Sequence, residues 1–152
     1  MGKSRQIGIG IAVVFSTVAI LFFISQYQTS SEISDLRSLS LPYIQSLEVS
    51  WDYKDILRNP QKYEGKIIKF TGEVWTVQQR FGDSYQLHVN ADCPYPDWRC
   101  GNFVVDYTGS RILQNDIVRV YAQVDYVDNY TILGTVLPVP YVTAVRLSCV
   151  SC

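Results

Sequence analysis

From residue 66 onward, apolar and polar side chains alternate with the period of two that marks half-buried strands. The clearest run is Lys66 to Gln78: beyond Ile68, Phe70 and Val74 fall on one side with Gly72 between them, while Lys69, Thr71, Glu73 and Trp75 fall on the other. Gly72 in mid-strand signals a bend or bulge, a device that lets a sheet curl into a small barrel. Phe81-Gly82-Asp83 supplies a hairpin turn into a second strand, where Tyr85, Leu87 and Val89 alternate with His88 opposite. Phe103 to Tyr107 reads as a third strand, and a compact link, Thr108 to Asp116, leads into a fourth, Ile117 to Val127. Val118, Val120, Ala122 and Val124 are its expected buried positions. Asp128-Asn129 reads as a turn toward Tyr130 to Leu133. Val139 to Leu147 reads as the last strand, with Pro140 near its start, where an edge or entry position tolerates it. The expected class is mainly β, a small five- to six-stranded Greek-key barrel without long helices between its strands.

The segment before the first strand has a different period. Ser50 is a candidate N-cap for a short helix, Trp51 to Leu57, with Asp52 in its first turn favourable to the dipole. Pro60 disfavours the helical region for Asn59, so the helix ends there, and Gly65 turns the chain into the strand. Trp51, Ile56 and Leu57 are expected over one mouth of the barrel. Further upstream Ile33, Leu36 and Leu39 recur at helical spacing until Pro42 interrupts. This reads as a partly helical stalk, with a partner-binding helix as the alternative.

Ile7 to Ser25 is an uncharged run of 19 residues, enough to cross a hydrocarbon core of roughly 30 Å at about 1.5 Å per residue. Lys3 and Arg5 precede it and no basic residue follows before Arg37, which places the N-terminus in the cytoplasm and the rest across the cell membrane. A cleaved signal peptide is the competing reading. Against it, the run exceeds the usual apolar region of about 7–15 residues, and Gln28-Thr29-Ser30 is a poor cleavage site. Gln6 also stands where myristoylation requires Ser or Thr. The expected organisation is a single-pass transmembrane signal-anchor over residues 1–27, a juxtamembrane stalk over 28–49 and an extracytoplasmic barrel over 50–152.

Leu57-Arg58-Asn59-Pro60, Lys62-Tyr63, Gly65-Lys66, Phe70-x-Gly72-x-Val74, Arg111-Ile112-Leu113, Asp116-Ile117-Val118 and Val120-Tyr121 together resemble the small bacterial OB-fold domains of the tRNA-anticodon-binding-like group. Several of those sit behind a membrane anchor or a zinc ribbon. The resemblance covers roughly residues 50–147 and implies the five-stranded Greek-key barrel of the OB-fold. It implies little about function. The link between the third and fourth strands is also too short for the helix usual in that fold, which weakens any transfer of a nucleic-acid groove.

Charge narrows the partners. Beyond residue 27 there are eleven basic against fourteen acidic residues, a poor match for a polyanion, so nucleic acid is not the expected partner. Asp92, Asp97, Asp125 and Asp128 are scattered over turns and strand ends, and solvation explains them better than a calcium site. The four cysteines form two pairs, Cys93/Cys100 and Cys149/Cys152. Outside the cytoplasm disulfides are the default, and no cofactor is expected. A structural zinc held by four thiolates is the alternative: Cys149-Val-Ser-Cys152 has a ligand-like spacing, but Cys93 and Cys100 are wider apart than the usual knuckle. Because the third and fifth strands of an OB barrel run parallel, the two pairs are expected near opposite ends. A redox pair at Cys149/Cys152 would lack the helix N-terminus that stabilises a thioredoxin-like thiolate.

His88 is the only histidine, and no Ser or Cys has an evident partnership with it, so no catalytic residue is assigned and an enzyme is not expected. The outward set is more informative: Trp75, His88, Arg119 and Tyr121 face away from the core, with Trp98 on the loop between the second and third strands. Either the stalk helix covers these rings, or they form a surface for a ligand or partner. The expected function is a membrane-anchored binding or scaffolding module, an accessory subunit of a membrane protein complex. An OB module for an oligonucleotide or oligosaccharide is the alternative.

Overall fold

A computed structural model describes residues 33–91, 101–132 and 134–152. The expected anchor over residues 7–25, the pair Cys93/Cys100 and Trp98 lie outside the described residues. Among the described residues no helix is long and apolar enough to cross a membrane. Contacts divide the chain into residues 1–38, of which 33–38 are helical, and a compact unit from Leu39 to Cys152.

Three short helices open the compact unit: α1 (Leu41–Ser46), α2 (Tyr53–Arg58) and α3 (Pro60–Tyr63). Pro42 does not end α1 but lies in its first turn, where its missing N–H would have no helical partner anyway. The N-cap of α2 is Asp52 rather than Ser50: its carboxylate accepts the N–H of Asp55 at 2.9 Å, satisfying a donor of the first turn. Asn59 closes α2, and Pro60 starts α3. Asp55 then gathers the Lys62 ammonium at 2.5 Å and the Tyr63 hydroxyl at 2.6 Å, tying the two helices together. These bonds hold its carboxyl below the usual carboxylate range, the Lys62 contact contributing most.

Five strands follow: β1 (Ile67–Gln79), β2 (Ser84–Ala91), β3 (Asn102–Thr108), β4 (Ile117–Ile132) and β5 (Thr135–Ser151). They close into a ring in the order β1-β2-β3-β5-β4. All neighbours are antiparallel except β3 and β5, which run parallel through Val104–Tyr141, Val105–Val142 and Asp106–Thr143. Closure leaves no open edge within the ring. The link from β3 to β4 contains no helix.

The inward positions are those of the alternation: Phe70 and Val74 of β1, Leu87 and Val89 of β2, Val118, Val120, Ala122 and Val124 of β4 are all buried. One mouth is plugged by rings. Phe70 stacks on Phe103 at 4.3 Å between centroids, and Trp51 meets both edge-on. Tyr53 packs on Phe103 and donates its hydroxyl to the carbonyl of Asn102 at 3.0 Å; burial pushes its pKa up to about 12.

Two expectations are corrected. The turn at Asp128-Asn129 is not there: both residues lie within β4, paired with Val139 and Pro138, and the chain reverses at Gly134 (φ 80°). β4 and β5 therefore extend past the ring as a two-stranded arm. Val139 is buried and Tyr130 half-buried in this arm, but Asp128 and Asn129 are adjacent exposed polar residues in mid-strand, so together they mimic a turn. The bulge in β1 falls at Trp75, between Val74 and Thr76, rather than at Gly72. Gly72 marks a close approach to β2 instead.

Candidate binding surface

The outward residues expected to form one surface are divided by α1. Tyr121 points away from the core yet is buried, because residues 39–49 cross the outer face of β1, β4 and β5. Gln45 donates to the Tyr121 hydroxyl at 3.1 Å, Arg146 donates to the carbonyl of Leu39 at 3.0 Å, and the Val49 N–H reaches the carbonyl of Ile67 at 2.9 Å. The Lys69 ammonium lies 5.8 Å from the Tyr121 ring centroid, a cation–π approach. Arg119 stays exposed on β4, opposite Thr71 and Ser148. Trp98 lies outside the described residues.

Trp75 and His88 do come together. Trp75, outward by the alternation and the extra residue of the bulge, is 39% exposed, beside His88, Asn90, Asn102, Val104 and Val139 around a recess of about 20 Å³. That is room for about one water and far below the few hundred Å³ of a small-molecule pocket. The arm reduces the space: Tyr130 lies on the His88 ring at 4.3 Å, and Val139 is buried there. Burial lowers the His88 pKa, favouring the neutral imidazole.

A second outward group went unread in the sequence. Continued alternation from Val124 would bury Tyr126, but a bulge at Asp125 reverses the parity and leaves Tyr126 53% exposed. Its ring stacks on Tyr141 at 4.8 Å and 13°. Three carboxylates surround this pair. Asp106 accepts from Gln86 at 3.2 Å, Asp125 accepts from the Thr143 hydroxyl at 2.8 Å, and Asp128 accepts from the Asn129 N–H at 2.7 Å. Arg80 donates to Gln86 at 2.7 Å and its charge acts on Tyr141 against the carboxylates. Burial first, then Tyr141, then the neighbouring carboxylates raise the pKa of Tyr126. The one available signal was the tyrosine count, because a bulge leaves no mark on an alternating pattern.

Burial, reinforced by Asp106, pushes the Asp125 carboxyl up to about 6 against the Thr143 bond. Since folding raises this pKa, the group's contribution is full below the unfolded value of roughly 3.9 and is lost as pH rises through about 6. Asp125→Asn keeps an acceptor for Thr143 and removes the charge. It is expected to raise the unfolding free energy by about 1–2 kcal/mol at pH 8, after discount for the solvent that reaches the carboxylate, and to change it little at pH 4. Urea titrations at the two pH values check this; an equal effect at both would remove the charge from the explanation.

Cys149 and Cys152 are joined as a disulfide with Cα atoms 6.0 Å apart. The expectation that the two cysteine pairs sit near opposite ends turns on Cys93 and Cys100, which lie outside the described residues. Around the β1 and β4 side of the ring, Ala91 pairs with Gly72, Gly72 with Val118 and Val118 with Cys149, so the end of β2 and Cys149 are level. The stagger of a closed barrel produces that coincidence.

No known family and no curated protein matches the chain. Among solved structures, one chain described as an aspartyl-tRNA synthetase from Leishmania major Friedlin aligns at 14% identity over 64% of this chain, with a TM-score of 0.41. This chain spans 20% of the length of that structure, and so slight a likeness carries no weight for function.

Proposed function

We propose that the chain is an OB-type barrel that serves as a binding or scaffolding module, held at a membrane by residues 7–25 and working as an accessory subunit of a membrane complex. The ring order with β3 and β5 parallel supports the OB assignment. The observation that carries the binding role is the outward aromatic face: Trp75 at the β1 bulge and the stacked Tyr126/Tyr141 pair, rimmed by Asp106, Asp125 and Asp128. Exposed rings beside carboxylates suit a protein surface that presents apolar and basic groups.

The same face disfavours a nucleic acid. In OB barrels oligonucleotides lie across the second and third strands between two loops. Here that face is partly occupied by Tyr130 and Val139 of the arm, and the rim is acidic. A reaction centre is not part of this proposal: the His88 imidazole is packed on a tyrosine ring.

Purification of the full chain from native membranes in mild detergent tests the role. The wild type is expected to carry a stoichiometric partner, and Trp75→Ala combined with Tyr126→Ala to lose at least tenfold of it while keeping its circular dichroism. Recovery of the wild type alone, or binding to single-stranded oligonucleotides that falls steeply with salt, would overturn the reading.

A further inference from the structure

The end of β5 brings together three side chains that the binding role does not use. In an extended strand, residues three apart point to opposite faces and stand about 10 Å apart. Cys149 and Cys152 instead lie 6.0 Å apart at Cα. The cause is a bulge: Cys149 pairs with Val118 and Ser151 with Ile117, leaving Val150 as the extra residue. This shift puts both sulfurs on the side of Asp116, and one ligand atom from each of Asp116, Cys149 and Cys152 lies within 4.8 Å of the others. Asp116 is positioned by its own chain, its carboxylate accepting the Leu113 N–H at 2.7 Å. Cys149 Sγ also lies 3.7 Å from the carbonyl of Ile117.

We propose that Cys149, Cys152 and Asp116 form a redox-gated site for a thiophilic divalent metal ion, zinc being the first candidate, closed while the disulfide stands and open when it is reduced. Two thiolates and a carboxylate are ligands zinc accepts, with a fourth position left to water. After reduction the two sulfurs, bonded to each other in the disulfide, must move apart and the Asp116 oxygen, within 4.8 Å of both, must close in for all three to meet one ion at the usual 2.0–2.3 Å. A dithiol reductant opens the site: its two thiols supply two electrons and two protons, the protein disulfide becomes two thiols, and the reductant becomes a cyclic disulfide. Metal binding then releases both thiol protons and forms two metal–sulfur bonds and one metal–oxygen bond. A small-molecule disulfide closes the site again: it takes two electrons from the two sulfur ligands and two protons from solvent and leaves as two thiols, the protein disulfide re-forms, and the ion, having lost both sulfur ligands, is released.

Cobalt(II) and zinc(II) titrations of the full chain test the proposal, after reduction by a phosphine that is then removed. The reduced protein is expected to bind one equivalent of cobalt with sulfur-to-metal absorption, displaced by zinc, and the disulfide form to bind at least a hundredfold more weakly. Cys149→Ser and Cys152→Ser should each abolish the absorption. Asp116→Asn retains an acceptor for Leu113 and both thiols, and should weaken binding about tenfold or more. A Cys93→Ser/Cys100→Ser double variant should bind as the wild type does. Unchanged affinity in Asp116→Asn would overturn the three-residue site, as would loss of binding in the double variant or equal binding by the oxidised protein.

Discussion

Gly72→Ala is expected to cost about 3 kcal/mol or more, enough to leave much of a domain of ordinary stability unfolded. Gly72 lies where β1 is held on both sides, paired with Ala91 of β2 and Val118 of β4. A Cβ there would stand 2.7 Å from the Ala91 Cα and closer still to the carbonyl oxygen of Asn90. Those obstacles are backbone, and both flanking strands belong to a closed ring, so neither can retreat without breaking ladder bonds. Gly82 provides the contrast: it has φ 56° at the β1–β2 hairpin tip, and an added Cβ would meet nothing within 4 Å. Gly82→Ala should therefore cost only about 1 kcal/mol, the strain of a left-handed residue. Urea unfolding followed by circular dichroism measures both. A Gly72→Ala protein within 1 kcal/mol of wild type would show that β1 and β2 can separate locally, and that the ring is looser than its register implies.

The contrast between the two glycines also shows what the alternation conveys. A period of two reports which side of a strand is buried, so it located the inward rows of β1, β2 and β4 wherever a core lay behind one face. It is silent where two exposed polar residues stand side by side, as Asp128 and Asn129 do within β4, which is why a turn is expected there. It is also silent where one extra residue enters. The bulges at Trp75, Asp125 and Val150 each reverse or restore parity; they expose Tyr126 and bring Cys149 beside Cys152 without changing a residue type. Of the expected surface, Trp75 and His88 adjoin because they face outward on neighbouring strands. Tyr121 faces outward as expected, and of the two alternatives for the outward rings it takes the first, covered by a helix of the stalk. Strand patterning says which way a ring points and nothing of what a distant segment lays on top of it.

What covers Tyr121 should prove integral to the domain. Ile44 is the one fully buried residue of α1, and positions just after it reach the barrel: Gln45 bonds the Tyr121 hydroxyl, and Glu48 bridges to Ile67 and lies 3.9 Å from the Lys69 ammonium. The polar contacts are exposed or half-exposed, so the apolar burial of Ile44 is the main attraction. Ile44→Ala is expected to destabilise the protein by about 2–4 kcal/mol, the range for truncating a fully buried aliphatic side chain. Tyr43→Ala, one position away and 52% exposed, should stay within about 0.5 kcal/mol. Amide exchange supplies the local readout: the Val49 N–H, bonded to Ile67, should lose protection in Ile44→Ala while the β2–β3 ladder keeps it. A cost under 1 kcal/mol with Val49 still protected would mean that α1 is held by its polar contacts. Unaltered stability with Val49 unprotected would mean that α1 lifts freely, returning Tyr121 and its neighbour Arg119 to the surface offered to a partner.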